Sequence, residues 1–125
     1  ITSRVRALQG PAGAPDIIAQ VHEVAKGYKK VLVCLDSNHT HEHVLQELKA
    51  YAPLASEGSY CVVFDTLIED MEPDTYTDRP WGKGDNPHTA IQTYLKENTG
   101  FEIDRQIHDR LLITVARAGF LRRLS

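Results

Sequence analysis

The chain has 125 residues, of which 42% are hydrophobic and 25% are charged, and its formal net charge is −3. This length fits one domain, which buries roughly two-thirds of the surface that the unfolded chain exposes. The negative charge argues against a nucleic-acid partner, which usually selects a basic surface. No apolar run reaches the ~20 residues of a membrane span and no signal peptide is visible, so we expect no membrane contact and a cytoplasmic protein.

The first half of the chain predicts strands and helices in alternation. Strands are expected over residues 31–35 and 60–64, which are short apolar runs, and over residues 4–8, a short stretch that Gly10 and Pro11 terminate. Helices are expected over residues 17–27 and 41–51, where apolar side chains recur at helical spacing.

Residues 66–86 form a long polar segment, rich in Asp, Pro and Gly, around Trp81. Loops of this length inside a small domain are commonly functional, so we expect a lid-like loop. Asn86 and Pro87 then predict a helix start, with a capping side chain followed by a first-turn proline.

The end of the chain predicts two further strands, over residues 101–104 and 111–115. Only six residues separate them, which leaves no room for a crossover helix, so they are expected to pair antiparallel. The predicted order is βαβαβαββ. It describes a single α/β domain over residues 1–125, a sandwich with a mainly parallel sheet and an antiparallel last strand.

Two predicted strands each end on an aspartate. Asp36 follows the second strand and Asp65 follows the third, while His39 lies in the turn after Asp36. Parallel strands release their carboxyl ends at one sheet edge, where α/β proteins bind ligands. Two carboxylates there suit a metal ion, and the imidazole suits proton transfer. An aspartate before a helix also commonly serves only as a cap, so a purely structural role stays open.

Several motifs of the chain resemble those of the cephalosporin hydroxylase and rhamnosyl O-methyltransferase family. This family has the class I S-adenosylmethionine-dependent methyltransferase fold, and the resemblance is to its C-terminal half. The motifs that support it are LDSNHTHEHV at 35–44, GSY at 58–60, DNPHTA at 85–90, FEID at 101–104, LLIT at 111–114 and GFLRR at 119–123.

The resemblance implies a magnesium-assisted methyl transfer from S-adenosylmethionine to a hydroxyl, often on a sugar of a natural product. Asp36 would then bind the metal, His39 would be the general base, and Asp65 would be a second metal ligand. The family usually has an acidic residue immediately before the position of Asp65, and this chain has Phe64 there. A site with three carboxylates would thereby be reduced to two.

The chain departs from the family at its front, because no glycine-rich cofactor loop lies between a strand and a helix. We therefore expect a partial methyltransferase domain that lacks the N-terminal half. Right-handed crossovers would place the helices on one sheet face and leave the other uncovered, which predicts a homo-oligomer through that face. Two alternatives to a methyltransferase for a small-molecule hydroxyl stay open: a non-catalytic dimerising module derived from the same fold, and a cephalosporin hydroxylase-like enzyme.

Overall fold

Helices and strands alternate along the chain in the computed structural model, which describes residues 3–125. The helices are α1 (Pro15–Ala25), α2 (His41–Tyr51), α3 (Pro87–Glu97) and α4 (Arg105–Leu111), and the strands are β1 (Val33–Leu35), β2 (Tyr60–Val63), β3 (Phe101–Ile103) and β4 (Phe120–Arg123). Short 3₁₀ turns lie at Ala52–Leu54 and Thr66–Asp70. Within this described part, no helix combines the length and the apolar character needed to cross a bilayer.

The four strands form one mixed sheet in the order β1-β2-β4-β3. Strands β1 and β2 are parallel, whereas β4 is antiparallel to both of its neighbours. The expected α/β class is confirmed, and so is the antiparallel last strand, because β1, β2 and β3 run in one direction and β4 runs against them. The chain returns to the sheet at β4, which inserts between β2 and β3 and reverses the strand direction there.

Residues 4–8 do not form the first predicted strand. They have no regular structure, and Val5 is 59% exposed. Among the described strands, β1 pairs only with β2, so residues 4–8 add no strand to the sheet. An alternating pattern without a partner strand gains neither ladder hydrogen bonds nor a buried face, and it therefore does not become a strand.

The strand predicted over residues 111–115 is also absent, and helix α4 ends in that region. Asp104 caps α4 by accepting hydrogen bonds from the backbone N–H groups of Gln106 and Ile107, at 3.1 and 3.4 Å. The helix stops at Leu112, whose φ is +61°, and the following Ile113 is 93% exposed. The capped helix thus occupies the sequence that we expected to be a turn, and the last strand forms further on, at β4.

Helices α2 and α3 cover one face of the sheet and position the turns that follow β1 and β2. Thr40 caps α2 through its side chain, and Asn86 forms a capping box with Thr89 at α3, so both of these predicted helix starts are confirmed. The core between the helices and the sheet includes Val33, Leu35, Val44, Leu48, Cys61, Val63, Ala90, Ile91 and Leu121.

The opposite sheet face is of mixed character. The register places six residues on it: Cys34, Tyr60, Val62, Glu102, Phe120 and Arg122. Cys34 is exposed, whereas Val62 is buried. Arg122 Nη2 lies 2.5 Å from Glu102 Oε1 in an exposed ion pair. The end of this face at Glu102 and Arg122 is therefore polar, whereas Cys34 is exposed at its β1 end.

Candidate metal centre

The parallel pair β1 and β2 brings three of the predicted site residues together. Asp36 follows β1, Asp65 follows β2, and His39 lies in the turn between β1 and α2. One ligand atom from each side chain lies within 4.8 Å of the others. His39 Nε2 is 3.2 Å from Asp65 Oδ2. Two carboxylates and an imidazole thus converge at the carboxyl edge of the sheet.

The backbone at Asp65 has a conformation that few residue types adopt. Its φ and ψ are 57° and 24°, in the left-handed region, which aspartate tolerates better than most residues other than glycine. The next residue, Thr66, is buried and donates its hydroxyl to the carbonyl of Arg117 at 2.5 Å. Behind them, a Cβ on Gly119 would lie only 2.2 Å from the carbonyl oxygen of Val63. The turn that presents Asp65 is therefore fixed by a close backbone approach.

The electrostatics of the centre favour a bound cation. Burial raises the pKa of the Asp65 carboxyl, and the neighbouring Asp36 raises it further, while His39 acts in the opposite direction. Asp36 itself is exposed, and the half-buried Phe64 offers no ligand atom. A divalent cation between the two carboxylates would replace their repulsion with attraction.

His39 is shielded by an aromatic side chain from the long segment 66–86. The rings of His39 and Trp81 are 4.8 Å apart, edge to face, at an interplanar angle of 80°. The guanidinium of Arg79 lies over the Trp81 ring, 5.6 Å from its centroid. As a result, only 19% of the His39 side chain is exposed, although it lies in a turn.

The carboxylate of Glu69 connects the two ends of the segment 66–86. Glu69 Oε2 accepts hydrogen bonds from the backbone N–H of Gly84, at 2.9 Å, and from the side-chain amide of Asn86. Asn86 is fully buried and also donates to the carbonyl of Gly82 at 2.9 Å. The start of α3 is thereby connected to the 3₁₀ turn after Asp65, and the loop between them is drawn over His39.

A cavity of about 600 Å³ lies beside this loop, and its lining includes the chain neighbours of His39 and Trp81. The lining residues are Thr40, His41, Glu42, Pro80, Gly84 and Asp85. The backbone N–H of His41 donates to Asp85 Oδ1 at 2.7 Å and so joins two of its walls. The volume falls in the range of small-molecule pockets. A separate groove of about 560 Å³ between α1, β1 and α2 contains none of the three site residues.

A second polar cluster, which the sequence patterns did not predict, lies behind Asp36. Glu47 is buried in α2 and accepts a hydrogen bond from the Ser37 hydroxyl at 2.6 Å. His43 Nε2 lies 3.0 Å from the same hydroxyl and 3.4 Å from Glu47 Oε1. The helical spacing of Glu47 with Val44, Leu48 and Tyr51 was the available signal, because it places an acidic residue on the apolar face.

The fold and the site define a class of protein: an α/β domain with a candidate metal centre at the carboxyl edge of a parallel strand pair. A family model described as "Rhamnosyl O-methyltransferase/CmcI" matches residues 1–124, and the chain belongs to this family. The resemblance expected from the motifs is therefore confirmed.

Curated relatives named "Rhamnosyl O-methyltransferase" are similar to this chain. The protein from Mycobacterium leprae (strain TN) is 34% identical over 117 residues, which cover 91% of this chain and 48% of the relative. The proteins from Mycobacterium tuberculosis (strain H37Rv) and Mycobacterium bovis (strain AF2122/97) are each 34% identical over 109 residues, covering 86% of this chain and 42% of each relative. The chain thus spans about half the length of these relatives. No solved structure gives a significant match.

Proposed function

We propose that the protein is a magnesium-assisted, S-adenosylmethionine-dependent O-methyltransferase that acts on a hydroxyl of a sugar or natural product, and that this chain provides its metal centre. Membership of the rhamnosyl O-methyltransferase family supports this reaction class. The observation on which the proposal rests is the convergence of Asp36, His39 and Asp65 within 4.8 Å.

The residues at the centre fit a magnesium ion. Asp36 and Asp65 supply hard oxygen ligands, and Mg²⁺ needs only one or two carboxylates because it retains several waters. Both side chains are at least partly exposed, so space for those waters and for a hydroxyl exists. When bound, the cation would polarise the acceptor hydroxyl and ease loss of its proton.

His39 is placed to accept that proton on its imidazole ring. Asp65 Oδ2, which lies 3.2 Å from His39 Nε2, would stabilise the imidazolium that forms. Trp81 packs against the ring and limits both its rotation and its access to water. In this proposal Asp36 and Asp65 bind the cation, and His39 accepts the proton.

The described residues do not fit the methyl donor. The turn between β1 and α2 has the sequence DSNHT and contains no glycine, and no other strand-to-helix turn of the described chain is a glycine-rich loop. Because the chain spans about half of its relatives, we propose that another part of a longer protein forms the donor pocket.

The acceptor would occupy the 600 Å³ cavity beside the segment 66–86. Its lining combines the carboxylates of Glu42 and Asp85 with the Thr40 hydroxyl, and such groups suit the hydroxyls of a sugar. Thr40 directly follows His39, so an acceptor in this cavity would lie next to the proposed base.

Two variants of the full-length protein separate the assigned roles. Asp36→Asn should lose both metal binding and transfer, whereas His39→Gln should keep metal affinity and lose transfer. Asp74→Asn, an exposed charge change in the same loop region, serves as the control. Mass spectrometry of a rhamnosylated acceptor should show a gain of one methyl group; a gain of one oxygen would instead identify a hydroxylase. Loss of metal binding in His39→Gln would make His39 a ligand and overturn its assignment as the base.

We further propose that two copies of the chain associate near the exposed side of β1. Leu32 is 58% exposed beside the 560 Å³ groove, whose walls include the apolar residues Leu8 and Val24. Light scattering during gel filtration should give a dimer mass for the native chain and a monomer mass for Leu32→Glu. A native monomer at all concentrations would contradict this association and leave the proposed reaction unaffected.

A further inference from the structure

Glu47 is a buried carboxylate that the proposed chemistry does not use. It is 3% exposed, and its Oε1 accepts the hydrogen bond from the Ser37 hydroxyl at 2.6 Å. His43 Nε2 is within 3.4 Å of the same oxygen. The other oxygen, Oε2, is buried and has no hydrogen-bond partner among the residues that the structure describes.

This arrangement does not favour stability. A buried carboxylate oxygen without a partner loses its hydration and gains nothing in return. The two partners of Glu47 do not need it, because Ser37 is exposed and His43 is half-buried, so both can bond to water. An apolar side chain of similar size in α2 would remove the desolvation cost and leave no buried donor unpaired.

The hydrogen bond between Ser37 and Glu47 instead restrains the turn that follows β1. Ser37 is the next residue after Asp36, so its bond to Glu47 fixes the point where the turn leaves the strand. At the far end of the turn, the backbone N–H of Thr40 donates to the side chain of Asn38 at 3.0 Å. Asp36 directly precedes this restrained segment, and His39 lies within it.

We propose that Glu47 is a positioning residue which, through Ser37, holds the Asp36 carboxylate in place for a divalent cation. This inference rests on the metal centre of the proposed function. It assigns a role to a residue outside the cluster of Asp36, His39 and Asp65, and it gives a reason for the acidic residue at a core position of α2.

The test compares Glu47→Met, Glu47→Gln and Ser37→Ala in the 125-residue chain. Binding of Mn²⁺, which takes the same hard oxygen ligands, is followed by the electron paramagnetic resonance signal of the free ion. Glu47→Met and Ser37→Ala should weaken Mn²⁺ binding ~10-fold, as is typical when a group that orients a ligand is lost. Glu47→Gln keeps an oxygen acceptor for Ser37 and should bind as the native chain does. The melting temperature of Glu47→Met should not fall below the native value.

A second measurement needs no metal. Amide hydrogen exchange over residues 37–40 should accelerate ~10-fold in Glu47→Met and Ser37→Ala, and not in Glu47→Gln. Unchanged exchange in Ser37→Ala, whose exposed site tolerates the change, would overturn the inference, as would native Mn²⁺ affinity in Glu47→Met. If the native chain itself fails to bind Mn²⁺, the proposed function fails, and the exchange rates alone decide whether Glu47 holds the turn.

Discussion

Asp36→Asn should make the metal-free chain more stable while it removes metal binding. Asparagine keeps the shape of the side chain and deletes its charge, so it removes the repulsion with Asp65, whose ligand atom lies within 4.8 Å. At that separation two unit charges repel by ~3.5 kcal/mol at an effective dielectric constant of about 20, and by ~1 kcal/mol in water. Because Asp36 is exposed, the lower figure applies, and we expect a gain of ~1 kcal/mol.

Urea denaturation at pH 7.5 in EDTA measures this gain, with Asp74→Asn as the matched control. Saturating Mg²⁺ should then stabilise the native chain by mass action and leave Asp36→Asn unchanged. The reasoning would be refuted if Asp36→Asn is no more stable than Asp74→Asn in EDTA. It would equally be refuted if Mg²⁺ stabilises Asp36→Asn as much as the native chain.

Three further predictions concern the turn at Asp65 and the cysteines. Burial raises the pKa of Asp65 in the folded chain, so ionising this carboxyl lowers the free energy of unfolding. The stability of the native chain relative to Asp65→Asn should therefore fall as pH rises above the ordinary aspartate pKa of about 3.9. Melting in EDTA from pH 3 to 7 checks this, and a difference that does not vary with pH would contradict it. Gly119→Ala should destabilise the chain by ~3 kcal/mol or more in urea titrations, since the new Cβ would meet the Val63 carbonyl oxygen at 2.2 Å. A loss below ~1 kcal/mol would show that the backbone at residue 119 lies further from Val63. Burial raises the pKa of Cys61 to about 12, so its thiol should resist alkylation at pH 8. Peptide mapping after iodoacetamide treatment should find label on the exposed Cys34 and none on Cys61. Equal labelling of the two cysteines would contradict the burial of Cys61.

The sequence was sufficient to predict the parts of the fold that depend on local chemistry. Helices α2 and α3 begin at capping residues, Thr40 and Asn86, and have clear helical periodicity, so propensity and packing agree there. Strands β1 and β2 are short apolar runs on either side of α2, and their parallel pairing follows from the helix that connects them. The juxtaposition of the strand-end residues Asp36 and Asp65 is a consequence of that pairing.

The remaining features depend on tertiary partners that a pattern does not contain. Residues 4–8 look like a strand but have no neighbouring strand, and the apolar run 111–115 follows a helix that Asp104 caps. The final strand β4 lies outside the predicted strands, because its place between β2 and β3 requires long-range pairing. Glu47 was missed for the same reason: its partner Ser37 is ten residues away and meets it only in the folded chain.

The most direct test of the metal centre is a Mn²⁺ titration of the ¹⁵N-labelled chain observed by NMR. The sequence contains a single tryptophan, Trp81, so its indole N–H signal is unambiguous and reports on the contact with His39. We predict that Mn²⁺ broadens the amide signals of Asp36, His39 and Asp65 and the Trp81 indole signal, that Mg²⁺ reverses the broadening, and that Asp36→Asn abolishes it. Broadening that is centred elsewhere, or that persists in Asp36→Asn, would contradict a metal centre at these residues.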